Sequence, residues 1–285
     1  MSLMEVKDLT ISFGGITAID RLSFNIENNS ITALIGPNGA GKTSTFNCLT
    51  GFYKATSGSI MYNNESLLGL APYQITYKKI IRTFQNVRLF KNMTVFENVM
   101  SGAHSTGKQF ILGALFRHKW QREEERKIFK NAEHCLDFIG ILDKKDKLAK
   151  NLSCGDQRRT EWARALAAQP NLLLLDEPAA GLNREEKDDL VHLIRRFRDE
   201  LGITVFLIEH DMDIVMEVSE KVVVINFGTK IAEGTPFEVQ NDPLVIDAYL
   251  GTSDEDENNS FSKSTSFAKR DICEKQGIST GVLDE

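Results

Sequence analysis

Eight consecutive residues, Gly36, Pro37, Asn38, Gly39, Ala40, Gly41, Lys42 and Thr43, fit the spacing G-x-x-x-x-G-K-[ST]. Glycines let successive backbone N–H groups curl around an anion. A lysine on a flexible stem reaches the outer phosphates, and a threonine hydroxyl is a hard oxygen ligand for Mg²⁺. The pattern carries this meaning only between a strand and a helix. Both flanks fit: the apolar run Ile31, Ala33, Leu34, Ile35 precedes it, and a helical pattern from Ser44 to about Leu49 follows. A nucleoside triphosphate is the expected ligand, held by Gly36, Asn38, Gly39, Gly41, Lys42, Thr43 and Ser44, with Thr43 also on the metal.

A second group strengthens the first. Leu172, Leu173, Leu174 and Leu175 read as a buried strand that ends in Asp176, Glu177 and Pro178. In open α/β sheets ligands sit at such carboxyl ends. Asp176 is placed to hold Mg²⁺, directly or through water, and Glu177 to polarise a water attacking the γ-phosphate. An apolar strand followed by two acids is commonplace, so this reading draws its weight from Lys42 and Thr43.

These residues need elements to position them. Runs of β type at Leu3–Val6, Leu22–Ile26 and Ile31–Ile35 suggest an antiparallel opening, and Asn63-Asn64 suits a turn inside a hairpin from Ser59 to Glu65. Residues Val95 to Asp143 read as mostly helical. Beyond them strands (172–175, 204–208, 222–226) alternate with helices (184–200, 212–219), the succession of parallel strands joined by helices.

Composition narrows the class. With 285 residues, 41% hydrophobic, and no apolar run near eighteen, the chain is long enough for one large core and is not expected to span a bilayer. The start, Met1 to Asp8, lacks the features of a secretion signal, which predicts a soluble, cytoplasmic chain. Cys48, Cys135, Cys154 and Cys273 form no C-x-x-C pair, so neither a zinc site nor a disulfide is expected. Of the net charge of −6, residues 251–285, with eight acids and four bases, supply −4, and the first 250 supply −2. That balance indicates no nucleic-acid surface. The acidic, low-complexity stretch Gly251–Ser266 reads as disordered, which puts the end of the folded body near Leu250.

Between the two motifs lie Leu152, Ser153, Cys154, Gly155, Asp156, Gln157, Arg158 and Arg159, followed by a helical pattern through Trp162, Ala163, Leu166 and Ala167. On its own this is an N-capped helix with two solvated arginines. In this order of motifs it resembles the LSGGQ signature of ABC-transporter ATPases, about twenty residues before the Asp-Glu strand. Further landmarks agree. Gln85, after Arg82, Thr83 and Phe84, resembles the Q-loop glutamine that contacts Mg²⁺, and His210, after Glu209, resembles the switch histidine that senses the γ-phosphate. Ala180, Gly181, Leu182 and Asn183 resemble the D-loop, with Asn183 where Asp is more usual. Phe13 stands where an aromatic stacks on adenine.

The resemblance covers residues 3–250. It implies a P-loop NTPase fold: a RecA-like α/β core with an antiparallel β subdomain and a helical subdomain at roughly 90–165, the ABC ATPase cassette, over residues 1–250, with 251–285 as a separate tail. It also implies ATP and Mg²⁺ as ligands, and catalysis by Glu177 with His210 and Gln85. Thr43, Gln85 and Asp176 would be the metal residues. A second ATPase subunit, identical or not, would close head to tail, so that Ser153 and Gly155 of one chain cover the ATP on Lys42 of the other. Transmembrane permease subunits would dock along a groove from Gln85 to Met93. A periplasmic binding protein would be an indirect partner, and the place of action the cytoplasmic face of the inner membrane.

The stretches 176–183 and 208–212, the ending Ala248-Tyr249-Leu250-Gly251, and Arg82 to Asn86 with Leu89, Phe90 and Met93 to Val95 are most similar to branched-chain amino-acid importer ATPases. Relatives in lipopolysaccharide export and urea import are the alternatives. A non-transport ABC ATPase would usually carry tandem cassettes, a long coiled coil or a basic arm. Cys154 and Asp156 depart from the general signature. An inward-pointing Asp156 would oppose the γ-phosphate, so Asp156→Gln would then raise turnover. Trp162 is larger than the aliphatic residue expected and would fill a core gap.

Overall fold

The structure, a computed structural model, describes residues 2–103 and 119–250. The acidic tail from Gly251, Cys273 within it, and the helical reading of residues 104–118 lie outside the described residues.

Among the described residues two sheets share the chain. Strands β1 (Ser2–Phe13) and β2 (Ile16–Glu27) form a long antiparallel hairpin. Then come β3 (Ile31–Ile35), helix α1 (Lys42–Leu49), and β4 (Ser57–Tyr62) with β5 (Glu65–Ser66). Asn63 and Asn64 turn β4 into β5 with φ of 48° and 64°, a left-handed pair that asparagine tolerates. Helix α2 (Pro72–Tyr77), strand β6 (Ile80–Arg82), and helices α3 (Val95–Ala103), α4 (Lys119–Ile139) and α5 (Cys154–Ala167) follow. The chain continues through β7 (Leu172–Asp176), α6 (Arg184–Asp199), β8 (Thr204–Ile208), α7 (Met212–Val218), β9 (Lys221–Asn226), β10 (Thr229–Gly234), α8 (Pro236–Gln240) and α9 (Pro243–Leu250).

The first sheet runs β2-β1-β4-β5 and is antiparallel; the second runs β10-β9-β3-β8-β7-β6, parallel except for the antiparallel β9–β10 pair. The antiparallel opening expected from sequence therefore holds for β1 and β2 but not for β3. That strand leaves its neighbours and pairs in parallel with β8 and β9 at the centre of the second sheet. All five of its residues are buried, as a strand covered on both faces requires.

Alternation along the central strands sorts the core into two. Ala33, Leu173, Leu175, Val205, Leu207 and Val224 face helices α3 to α7, in one cluster with Trp162, which fills part of that core as expected. Leu34, Leu172, Leu174, Phe206, Ile208 and Ile225 face α1 and the antiparallel sheet. The parallel sheet is thus sandwiched between a helical layer and a β layer. Its carboxyl ends at Ile35, Asp176 and Ile208 lie side by side, since β7 and β3 each flank β8.

Candidate nucleotide-binding and hydrolysis site

The loop after β3 is shaped by backbone that only glycine accepts. Gly41 sits at φ 104°, and a Cβ there would lie 2.4 Å from Ile19 Cδ1 and 2.7 Å from the Ala18 carbonyl. A Cβ on Gly36 would meet the Ile225 carbonyl at 2.0 Å. The loop is therefore pressed against β2 and β9, and it leads straight into α1, whose first N–H groups have no intrahelical acceptors. Lys42 is buried; its ammonium donates to the Gly36 carbonyl and, at 3.0 Å, to that of Pro37. Asn38, Gly39 and Thr43 are exposed and Ser44 half-buried. Backbone donors, a held cation and a hydroxyl at one helix start suit a polyphosphate.

Thr43, Gln85 and Asp176 line one cleft together with Asn47, Phe52, Tyr53, Arg82, Phe84, Asn86 and Arg88. The three metal candidates are thus brought together. Their donors are all oxygens, the set Mg²⁺ takes, with one carboxylate and room for phosphate oxygens. Asp176 is already engaged: its Oδ2 accepts from Arg82 Nη2 at 2.6 Å, with both side chains nearly buried. Arg82 also donates to Asn47 Oδ1 at 2.7 Å and lies over the rings of Phe46 and Phe84 at 5.6 and 5.1 Å.

Glu177 follows at φ 47°, its N–H donating to the Ile208 carbonyl at 2.9 Å. Its Oε2 accepts from Gln85 Nε2 at 2.5 Å, which joins two of the catalytic candidates directly. The third, His210, is exposed at the neighbouring strand end, its Nδ1 3.9 Å from Glu209 Oε2. Phe13 is half-exposed and packs edge-on against Tyr53 at 5.0 Å. Tyr53 lines the cleft, so an aromatic pair rather than one ring stands at this margin.

Ser153 and Gly155 lie elsewhere. Ser153 caps α5, its hydroxyl accepting from the Asp156 N–H at 3.2 Å, and Gly155 lines a separate cavity with Arg159, Leu182, Glu186 and Asp189. The inward Asp156 that would oppose an anion is not found. Its carboxylate is paired with Lys144 at 2.6 Å. Burial would raise its pKa, but the hydrogen bonds from Lys144 and Ser153 and the charges of Lys144 and Arg159 outweigh this and hold it below the ordinary value. Asn183, in place of Asp, caps α6 by accepting from the Glu186 N–H at 3.0 Å.

Several residues escaped sequence reasoning. Arg158, read as solvated, is buried and donates to three backbone carbonyls. Glu161 is buried beneath the Gln85 loop and accepts from the Arg88 N–H at 3.4 Å; burial pushes its pKa up. Glu209, fully buried, accepts from the N–H groups of Ala179 at 2.7 Å, His210 at 3.1 Å and Asp211 at 3.3 Å, which ties the loop after Glu177 to that of His210. Burial raises its pKa despite these donors.

A phosphate-binding loop between two such layers, with Asp176 and Glu177 at the end of another strand of the same sheet, defines a P-loop ATPase cassette. The model of the ABC transporter family matches residues 19–180, and that of the branched-chain amino acid ATP-binding cassette transporters matches residues 229–255. The chain belongs to the ABC transporter family as an ATP-binding subunit and ATPase. It is 45% identical over 249 residues to BraF of Pseudomonas aeruginosa, a high-affinity branched-chain amino acid transport ATP-binding protein, covering 87% of this chain and 98% of BraF. Identity to LivG of Escherichia coli K12, described in the same words, is also 45%, with the same coverage. Among solved structures, the ADP conformation of MJ1267, an ATP-binding cassette of an ABC transporter, superposes with a TM-score of 0.77 at 32% identity, covering 88% of this chain and all of that one.

Proposed function

We propose that this ATPase energises the import of branched-chain amino acids through a partner permease. The cargo is argued from the relatives: BraF and LivG are branched-chain amino acid transport ATP-binding proteins, and the match runs through residues 229–255 as well as the cassette. No helix among the described residues is long and apolar enough to cross a membrane. Passage of the cargo therefore falls to a membrane subunit, with this chain peripheral on its cytoplasmic face. Exposed Phe90 and Met93, with Arg88 beside Phe84, offer an apolar and basic groove for that subunit.

Gly36 to Ser44 hold the phosphates of ATP, and the Phe13–Tyr53 pair takes the base. Thr43, Asp176 and Gln85 would hold Mg²⁺, whose chemistry there is to neutralise charge on the outer phosphates. Glu177 accepts the proton of the attacking water, with Gln85 fixing its carboxylate and His210 reading the γ-phosphate. The observation that carries this assignment is the 2.5 Å hydrogen bond from Gln85 to Glu177 beside Thr43 and Asp176. Ser153 and Gly155 sit outside that cleft, which supports their serving the ATP of a second subunit in a head-to-tail dimer. An ATP γ-phosphate that meets both chains only when they are closed would shift the open–closed equilibrium by its differential affinity. Glu177→Gln should therefore accumulate a closed, ATP-bound dimer by light scattering; rapid turnover by this variant would reject Glu177 as the base.

A further inference from the structure

One buried guanidinium gathers the backbone of two loops. Arg158 Nη1 donates to the Glu177 carbonyl at 3.4 Å, and its Nη2 donates to the carbonyls of Gln85 at 3.3 Å and Ala180 at 3.2 Å. Gln85 and Glu177 are themselves joined side chain to side chain at 2.5 Å. The three residues thus form a closed ring of hydrogen bonds, in which Arg158 fixes the main chain of the two groups whose side chains meet. Arg158 stands on the second turn of α5, the helix whose start is capped by Ser153 and includes Gly155. Two further residues of that helix fasten the same loop: Glu161 accepts from the Arg88 N–H, and Arg164 Nη1 donates to the Arg88 carbonyl at 2.6 Å.

We infer that Arg158 is a positioning residue for ATP hydrolysis, setting Glu177 against Gln85 and transmitting to both the position of helix α5. The inference rests on the proposed role of Glu177. Arginine suits the task because its planar fork presents several donors in fixed directions, whereas lysine offers one compact cation on a flexible stem. Arg158 reaches the cleft through the main-chain carbonyl of Gln85 and is not itself assigned to ATP, so its loss should leave ATP capture intact and misplace the base. Misplacement of about 1 Å costs on the order of a hundredfold in rate.

The test is steady-state ATP hydrolysis by the full-length chain as wild type, Glu177→Gln, Arg158→Lys and Arg158→Ala, with melting temperatures and MgATP titrations alongside. The expected result is a kcat lower by about tenfold for Arg158→Lys and about a hundredfold for Arg158→Ala, with KM and ATP affinity within about twofold of wild type. A merely structural role would lower the melting temperature and active fraction of both variants together, and would not order the lysine between arginine and alanine. A folded Arg158→Ala with wild-type kcat, or a loss confined to KM, overturns the inference while leaving Glu177 in place. Unimpaired turnover by Glu177→Gln overturns the reading of the base, and the inference with it.

Discussion

Asp176 and Arg82 form a nearly buried ion pair at 2.6 Å across the parallel neighbours β7 and β6. Arg82 is further held by Asn47 of α1, so one guanidinium connects the strand that ends in the acids to the helix that follows the phosphate loop. Removing one partner of such a pair leaves a charge buried without compensation. Arg82→Ala should cost about 3–5 kcal/mol of stability in urea unfolding. A loss below about 1 kcal/mol would mean that water reaches Asp176 freely.

Gly41→Ala should damage stability and nucleotide binding together. The new methyl would meet Ile19 and the Ala18 carbonyl of β2, in a backbone conformation that L-residues rarely adopt. The expected loss is about 1–3 kcal/mol, with weaker MgATP binding by titration. Unchanged binding would show that the loop does not need this close approach.

The pairing of Asp156 with Lys144 redirects the expectation for this departure from the signature. Asp156→Gln should lower stability by about 0.5–1 kcal/mol at neutral pH rather than raise ATP turnover. Because the folded-state pKa of Asp156 is lowered, its contribution is present above its ordinary value of 3.8 and is lost as the pH falls through the folded value. Acid unfolding of wild type and variant should therefore converge at low pH. Faster turnover by the variant would contradict the pairing.

Glu209 has the opposite sign. Its folded pKa lies above the ordinary 4.5, so its contribution is complete below that value and declines as the pH rises through the folded one. Glutamine mimics the protonated acid. The stability difference between wild type and Glu209→Gln should thus move in favour of the variant as the pH is raised from 4.5 through the folded value. A difference independent of pH would place the carboxyl in a solvated setting.

Much of this was legible in the sequence, because the phosphate loop and the run Leu172–Asp176 carry their chemistry in residue types at fixed spacing. The continuous apolar strands β3, β7, β8 and β9 announce a sheet covered on both faces. Strand β6, at three residues, is too short to show a period, and β10 is an edge strand of mixed polarity. The sheet to which β3 belongs depends on long-range pairing that no local pattern reports. Arg158 and Glu161 were unreadable for another reason. Their partners are backbone carbonyls and amides, which every residue possesses, so nothing in the residue types distinguishes a buried clamp from a solvated helix face. Tyr53 carries no local signal, because its pairing with Phe13 joins distant segments.

The most direct measurement is uptake of labelled leucine, isoleucine and valine by cells depleted of this chain and supplied with either wild type or Glu177→Gln. The account predicts that depletion abolishes uptake and that only wild type restores it. Uptake that persists without the chain would contradict branched-chain amino acids as the cargo, and rescue by Glu177→Gln would contradict hydrolysis at Glu177 as the source of energy.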